Sequence, residues 1–166
     1  DLVRSRGLGD VYKRQEYSYV MKHVFLYRAL RQLEIESGYI LIPKEFSDNE
    51  FTSEPMFGID TSFPFSFDSV DNKVRQHQWK QNGLPTNGIS TTPFLERAKI
   101  YGKRSRIIAK IDSRLFDKYG ISTFDVNKIL AFRPEDIAAK EDNEIILKYK
   151  KAGPFPKNII VDLINL

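Results

Sequence analysis

Apolar positions fall in short runs along the chain, and each run predicts a short element. "HVFLYRAL" (23–30) combines β-branched and aromatic residues and predicts a strand. "LRQLEIES" (30–37), closed by Gly38, predicts a short helix with a glycine stop. "YILIP" (39–43) predicts a second short strand ended by Pro43. "VRQHQWKQNG" (74–83) predicts a short helix carrying His77 and Trp79, and "GLPTNG" a turn. "NGIST" (87–91) predicts a strand. Thr92 then has the chemistry of a helix N-cap and Pro93 that of a first helical residue. Phe94, Ala98 and Tyr101 share one face of that helix, and Gly102 stops it. "SRIIAKID" (105–112) predicts a buried strand, and "SRLFDKYG" and "TFDVNKILAF" short helices. "NEIILKY" (143–149) and "KNIIVDLINL" (157–166) predict the last two strands. Such a mixed order of short elements indicates an α+β fold, not a doubly wound parallel sheet.

Two stretches escape this pattern. Residues 43–72 fit neither a helical nor a strand period, yet hold Phe46, Phe51, Phe57, Phe63, Phe65 and Phe67 among acidic and turn residues. Disordered segments are poor in aromatics, so the expectation is a packed loop partly covering a site, or a surface loop pinned by its phenylalanines. The opening "DLVRSRGLGDVYKRQ" has no hydrophobic period and resembles translated adapter read-through. Residues 1–20 are therefore read as a non-native or disordered tail before one domain over 21–166. The alternatives are a native tail or the end of an upstream domain.

Composition narrows the classes. With 166 residues and 41% hydrophobic content the chain can bury a core of its own. There is no Cys, so neither a disulfide nor a thiolate metal site can form, and two His argue against structural zinc. No apolar run approaches a membrane span and no leader pattern opens the chain, which favours a cytoplasmic setting. The net charge of +4 allows an anionic ligand or a nucleic acid partner without demanding either. The basic set Lys99, Lys103, Arg104 and Arg106 reads as a solvated face, or as a surface for nucleic acid or an acidic target.

Three motifs stand out by order. "YRAL" (27–30) holds an aromatic–Arg pair on the first strand, "GISTTPFLERA" (88–98) a hydroxyl-rich strand end, and "EDNEII" (141–146) a late pair of acids. Together they resemble the ADP-ribosyltransferases of the arginine–serine–glutamate class, such as cholera and pertussis toxins. His77 stands before the serine as that family's second-block His does, and "GPFPKNIIVDLI" (153–164) is similar to the family's closing loop and strand. The resemblance spans nearly all of residues 23–166. It implies two small mixed or antiparallel sheets around an NAD cleft, with short flanking helices. It also implies that NAD is the substrate and no metal is needed. Its product would be ADP-ribose on a protein or nucleic acid acceptor, in a toxin or conflict role. Glu144 would be the catalytic acid, Ser90 its positioner and Asp142 the acceptor-side carboxylate. Arg28 would clamp NAD, with Tyr27, His77 and Thr91 on the NAD side. The chemistry is consistent, because a carboxylate stabilises the oxocarbenium-like charge that develops when nicotinamide leaves ribose, and a guanidinium fork suits a pyrophosphate.

Each residue also has a plain reading alone: Ser90 and Thr92 as strand-end or cap residues, Arg28 as a surface ion-pair partner, Glu144 as a solvated turn acid, His77 as a packed histidine. One departure matters. The family's arginine-modifying members carry Glu two residues before the catalytic Glu, where this chain has Asp142. Asp is a methylene shorter, which puts an arginine acceptor in doubt. The rivals are an NAD glycohydrolase, a non-catalytic nucleotide- or protein-binding module on the same fold, and a basic nucleic-acid-binding domain.

Overall fold

The computed structural model describes residues 22–53, 69–78 and 85–166. Residues 1–20, Trp79 and Phe57, Phe63, Phe65 and Phe67 lie outside the described residues, as do the expectations that rest on them.

The fold is α+β, built on two three-stranded antiparallel sheets. Strands β1 (Phe25–Ala29), β3 (Ile107–Asp112) and β6 (Ile160–Asn165) form one sheet in the order β1-β3-β6. Strands β2 (Gly88–Thr91), β5 (Ile145–Tyr149) and β4 (Ile121–Asp125) form the other in the order β2-β5-β4. Both sheets are wholly antiparallel, without the mixed pairing that was allowed for. The helices are short: α1 (Gln32–Glu36), α2 (Val70–Gln78), α3 (Leu95–Tyr101), α4 (Phe116–Tyr119) and α5 (Val126–Ile129).

Strand periodicity explains the core. On β5, Ile145 and Leu147 face the larger cluster with Leu26, Leu30, Ile111 and Ile159. Ile146 faces the opposite cluster with Phe51, Val74, Val126 and Leu130. A central strand buried on both faces needs an unbroken apolar run, and "IIL" supplies it. Of the described phenylalanines of the aromatic stretch, Phe51 joins this core while Phe46 is exposed. Phe51 stacks on Phe124 with centroids 4.8 Å apart. Its ring also fixes the identity of Gly88, where a Cβ would come within 2.6 Å of Ile146 and 2.8 Å of Phe51.

The two sheets join through a bridge between Tyr27 and Thr92. Tyr27 N donates to the Thr92 carbonyl at 2.7 Å, and Thr92 N to the Tyr27 carbonyl at 3.0 Å. This corrects the expected role of Thr92. Held in the bridge, it is not the N-cap, and Phe94 occupies that position, with Pro93 outside the helix. Thr92 Oγ1 still accepts from Phe94 N at 3.1 Å, and it donates to the Asp142 carbonyl at 2.6 Å. The expected helix face is also corrected, because Ala98 is buried while Phe94 and Tyr101 are exposed.

Three further expectations fail for identifiable reasons. "YILIP" is not a strand, because its amides go elsewhere: Ile42 N donates to the Glu34 carboxylate at 3.1 Å and Ile40 N to the Glu34 carbonyl at 3.1 Å. "ISTFD" (121–125) is a strand where a helix was expected to begin at 123. Gly120, in the left-handed region at φ 69°, turns the chain into it. Residues 140–142 form a 3₁₀ turn and Asn143 is left-handed at φ 46°, so β5 starts at Ile145 and not at 143. Asp142 and Glu144 are therefore not alternating residues of one strand.

Candidate functional site

The Tyr27–Thr92 bridge brings the three motifs together. Arg28 follows Tyr27 on β1, Ser90 lies two residues before Thr92 on β2, and Glu144 precedes β5, the neighbour of β2. They line one cavity of about 850 Å³ with Tyr27, His77, Thr91 and Asp142. That volume falls in the range of small-molecule sites. All seven site residues read from the sequence thus contribute to a single lining.

Arg28 is mostly buried and held from behind. Its Nη2 donates to Glu34 Oε1 at 3.1 Å and its Nη1 to the Ser90 carbonyl at 2.9 Å. Its Nε is buried and, among the described residues, has no hydrogen-bond partner. Burial lowers the guanidinium pKa from its ordinary value, against the opposing pull of Glu34. Glu34 is fully buried and receives five donor contacts from four groups. Two come from Arg28 Nη2, and the others from Arg31 N at 2.8 Å, Arg31 Nη2 at 3.3 Å and Ile42 N. Burial pushes its carboxyl up, but Arg28 and these backbone donors outweigh that, and the net shift is downward.

From α2, His77 lines the cavity and Gln78 reaches Glu144 beside it. His77 Nδ1 lies 2.5 Å from Thr86 Oγ1, and Nε2 lies 2.8 Å from Ser90 Oγ and 3.5 Å from Glu144 Oε1. Thr86 Oγ1 also accepts from Gly88 N at 3.4 Å. The arrangement is not a nucleophilic triad. There, serine and carboxylate occupy opposite ring nitrogens, whereas here both meet Nε2. Ser90 and Glu144 are joined by their shared contact with His77.

Glu144 is 8% exposed, so it is no solvated turn acid. Its Oε2 accepts from Gln78 Nε2 at 2.8 Å. Asp142 is equally buried but its carboxylate is engaged. Arg97 Nε donates to Oδ1 at 2.6 Å and the Tyr101 hydroxyl donates to Oδ2. Tyr101 is pushed up to about 12, first by partial burial and then by the Asp142 carboxylate. Thr91 lines the cavity, but its hydroxyl donates to the Ile145 carbonyl at 2.6 Å, a tie between β2 and β5.

Of the basic set, Lys99 pairs with Glu96 at 2.6 Å and Arg106 donates to the Leu166 carbonyl, while Arg104 reaches the cavity rim. Among the described residues no group of His, Asp and Glu is placed to hold a metal, and no helix is long and apolar enough to cross a membrane. Sequence reasoning missed Glu34, Gln78, Thr86, Arg97 and Tyr101 as members of the site. The spacing Arg28–Arg31–Glu34 was a usable local signal for Glu34. Gln78 meets Glu144 across 66 residues, and no local pattern announces that pairing.

No family model, curated protein or solved structure matches the chain.

Proposed function

We propose that the protein is an NAD-dependent mono-ADP-ribosyltransferase with an ADP-ribosyltransferase-like fold. The observation that carries this reading is the convergence of Arg28, His77, Ser90 and Glu144 on one cavity where two antiparallel sheets meet. In this reading NAD is the substrate. The donor set suits it, since Arg28 is a guanidinium locked on the cavity wall by Glu34 and the Ser90 carbonyl, and a guanidinium matches a phosphate oxygen. Positive charge develops on ribose as the nicotinamide bond breaks, and the Glu144 carboxylate is the group that stabilises it. His77 and Ser90 keep that carboxylate oriented. Tyr27 contributes an aromatic wall, and Thr91 holds β2 to β5 behind it.

A second reading, NAD glycohydrolysis, is favoured by one observation. Both Asp142 oxygens already have donors, so Asp142 is poorly placed to receive a guanidinium, and water or another acceptor fits better. Asp142 then shapes the acceptor side through Arg97 and Tyr101.

The deciding experiment is nicotinamide release from NAD by the purified protein beside Glu144→Gln. Loss of the carboxylate should lower release by about 10²–10³-fold. Equal release from both proteins would remove Glu144 from the chemistry. Neither release nor NAD binding in the unmutated protein would overturn the reading.

A further inference from the structure

We infer that Gln78 is a positioning residue that holds the Glu144 carboxylate in its working orientation while leaving its charge intact. This rests on the reading of Glu144 as the carboxylate that stabilises the developing charge.

Gln78 is 5% exposed and lies in the last turn of α2. Its two amide ends have opposite requirements, and both are met. Nε2 donates to Glu144 Oε2 at 2.8 Å, and Oε1 accepts from Ala138 N at 3.1 Å. Turning the amide over would put oxygen against carboxylate and N–H against N–H, so only one orientation works. The carbonyl end is anchored to a segment that is itself tied to α2. Arg75, one turn earlier, pairs with Asp136 at 2.7 Å, with both side chains at or below 10% exposure. Gln78 is thus fixed at its far end before it meets Glu144.

The residue type matters as much as the geometry. A carboxylate that stabilises a cation must stay ionised and unneutralised. Lysine or arginine at this position would cancel its charge, and an acid would repel it. A neutral amide donor orients it and favours the ionised form. The charged and titratable groups around Glu144 agree with this need. His77 on α2 is 3.5 Å away, and Arg28 on β1 and Tyr101 on α3 feel its charge at longer range. Gln78 takes one of its oxygens directly in a hydrogen bond.

The test compares the unmutated protein with Gln78→Met, which keeps the volume and removes both hydrogen bonds, and with Gln78→Glu. Nicotinamide release by Gln78→Met should lose about 10- to 100-fold in kcat with KM for NAD within about twofold. Gln78→Glu should be most active, relative to the unmutated protein, at acid pH. There the introduced carboxyl is protonated and its O–H replaces the amide donor. Activity should fall as pH rises and the second carboxylate ionises beside the first. A merely structural role predicts no such profile. A third readout does not depend on turnover. Carboxyl-carbon NMR titration of Glu144 should show its pKa raised in Gln78→Met, provided circular dichroism shows the variant folded. An unchanged Glu144 titration in a folded Gln78→Met, or an unchanged kcat and pH profile, overturns the inference. If the unmutated protein neither releases nicotinamide nor binds NAD, the functional reading fails, and the NMR titration alone decides whether Gln78 controls this carboxylate.

Discussion

Removing the Glu34 carboxylate should cost more stability than any exposed substitution in the chain. The side chain is fully buried and accepts from Arg28, Arg31 and two backbone amides. In Glu34→Ala the Arg28 guanidinium, with 14% of its side chain exposed, keeps the Ser90 carbonyl but loses its counter-charge. Breaking one side of a buried ion pair costs about 3–5 kcal/mol, against a total of about 5–15 kcal/mol for a typical domain. For a domain of this size that is a fall in Tm of about 6–20 °C. Urea unfolding followed by circular dichroism at pH 7 measures it directly. The isostere Glu34→Gln should lose about 1.5–3 kcal/mol, the scale of hydrogen bonds to a charged group. The pH dependence has a definite sign. The Glu34 pKa is lowered from its ordinary 4.5 on folding. Its contribution is therefore present above about pH 4.5 and is lost as pH falls through the lower folded value. The gap between the unmutated protein and Glu34→Gln should shrink over that acid window. Replacing both partners, Arg28→Leu with Glu34→Leu, should cost less than the sum of the two single changes. A loss under about 1 kcal/mol in Glu34→Ala, the scale of an exposed pair, would refute the reasoning.

Three other outcomes are expected. Phenol absorbance should show Tyr101 titrating near pH 12, and Asp142→Asn should bring it down by removing the charge that holds the proton. Gly88→Ala should destabilise by about 1–3 kcal/mol in the same urea assay, because its methyl group meets Ile146 and Phe51; a change within about 0.5 kcal/mol would show that Phe51 yields freely. Small guanidino acceptors such as agmatine should not be modified at a rate above hydrolysis, since Asp142 is already held by Arg97 and Tyr101. Efficient transfer to agmatine, followed by mass spectrometry, would show that this clamp opens.

The strands that form the two sheets were legible where an apolar run stood between turn residues. Those of β1, β2, β3, β5 and β6 were found within a few residues, because burial against a core imposes the pattern that betrays them. β4 was not, since "ISTFD" has no continuous apolar run and leads straight into the α5 pattern. "YILIP" failed in the opposite sense. Its apolar character is real, and Leu41 is fully buried, but a side-chain carboxylate took the amides that a neighbouring strand would need. Thr92 shows the same competition, with a tertiary bridge overriding a local cap signal. Arg28, His77, Ser90 and Glu144, picked out by their order along the chain, line one cavity. The groups that hold them, Glu34, Thr86 and Gln78, were not legible, because ordinary residues acquire those roles only through distant neighbours.

The Tyr27–Thr92 bridge has a consequence for how the cleft can be watched. Among the described residues, two backbone hydrogen bonds at 2.7 and 3.0 Å tie the sheet that carries Arg28 to the sheet that carries Ser90. Any separation of those two walls must release these two amide protons to solvent. Hydrogen–deuterium exchange at Tyr27 and Thr92 is therefore a built-in gauge of the breathing of the cavity, readable without a ligand, and anything that clasps both walls should slow the two amides together.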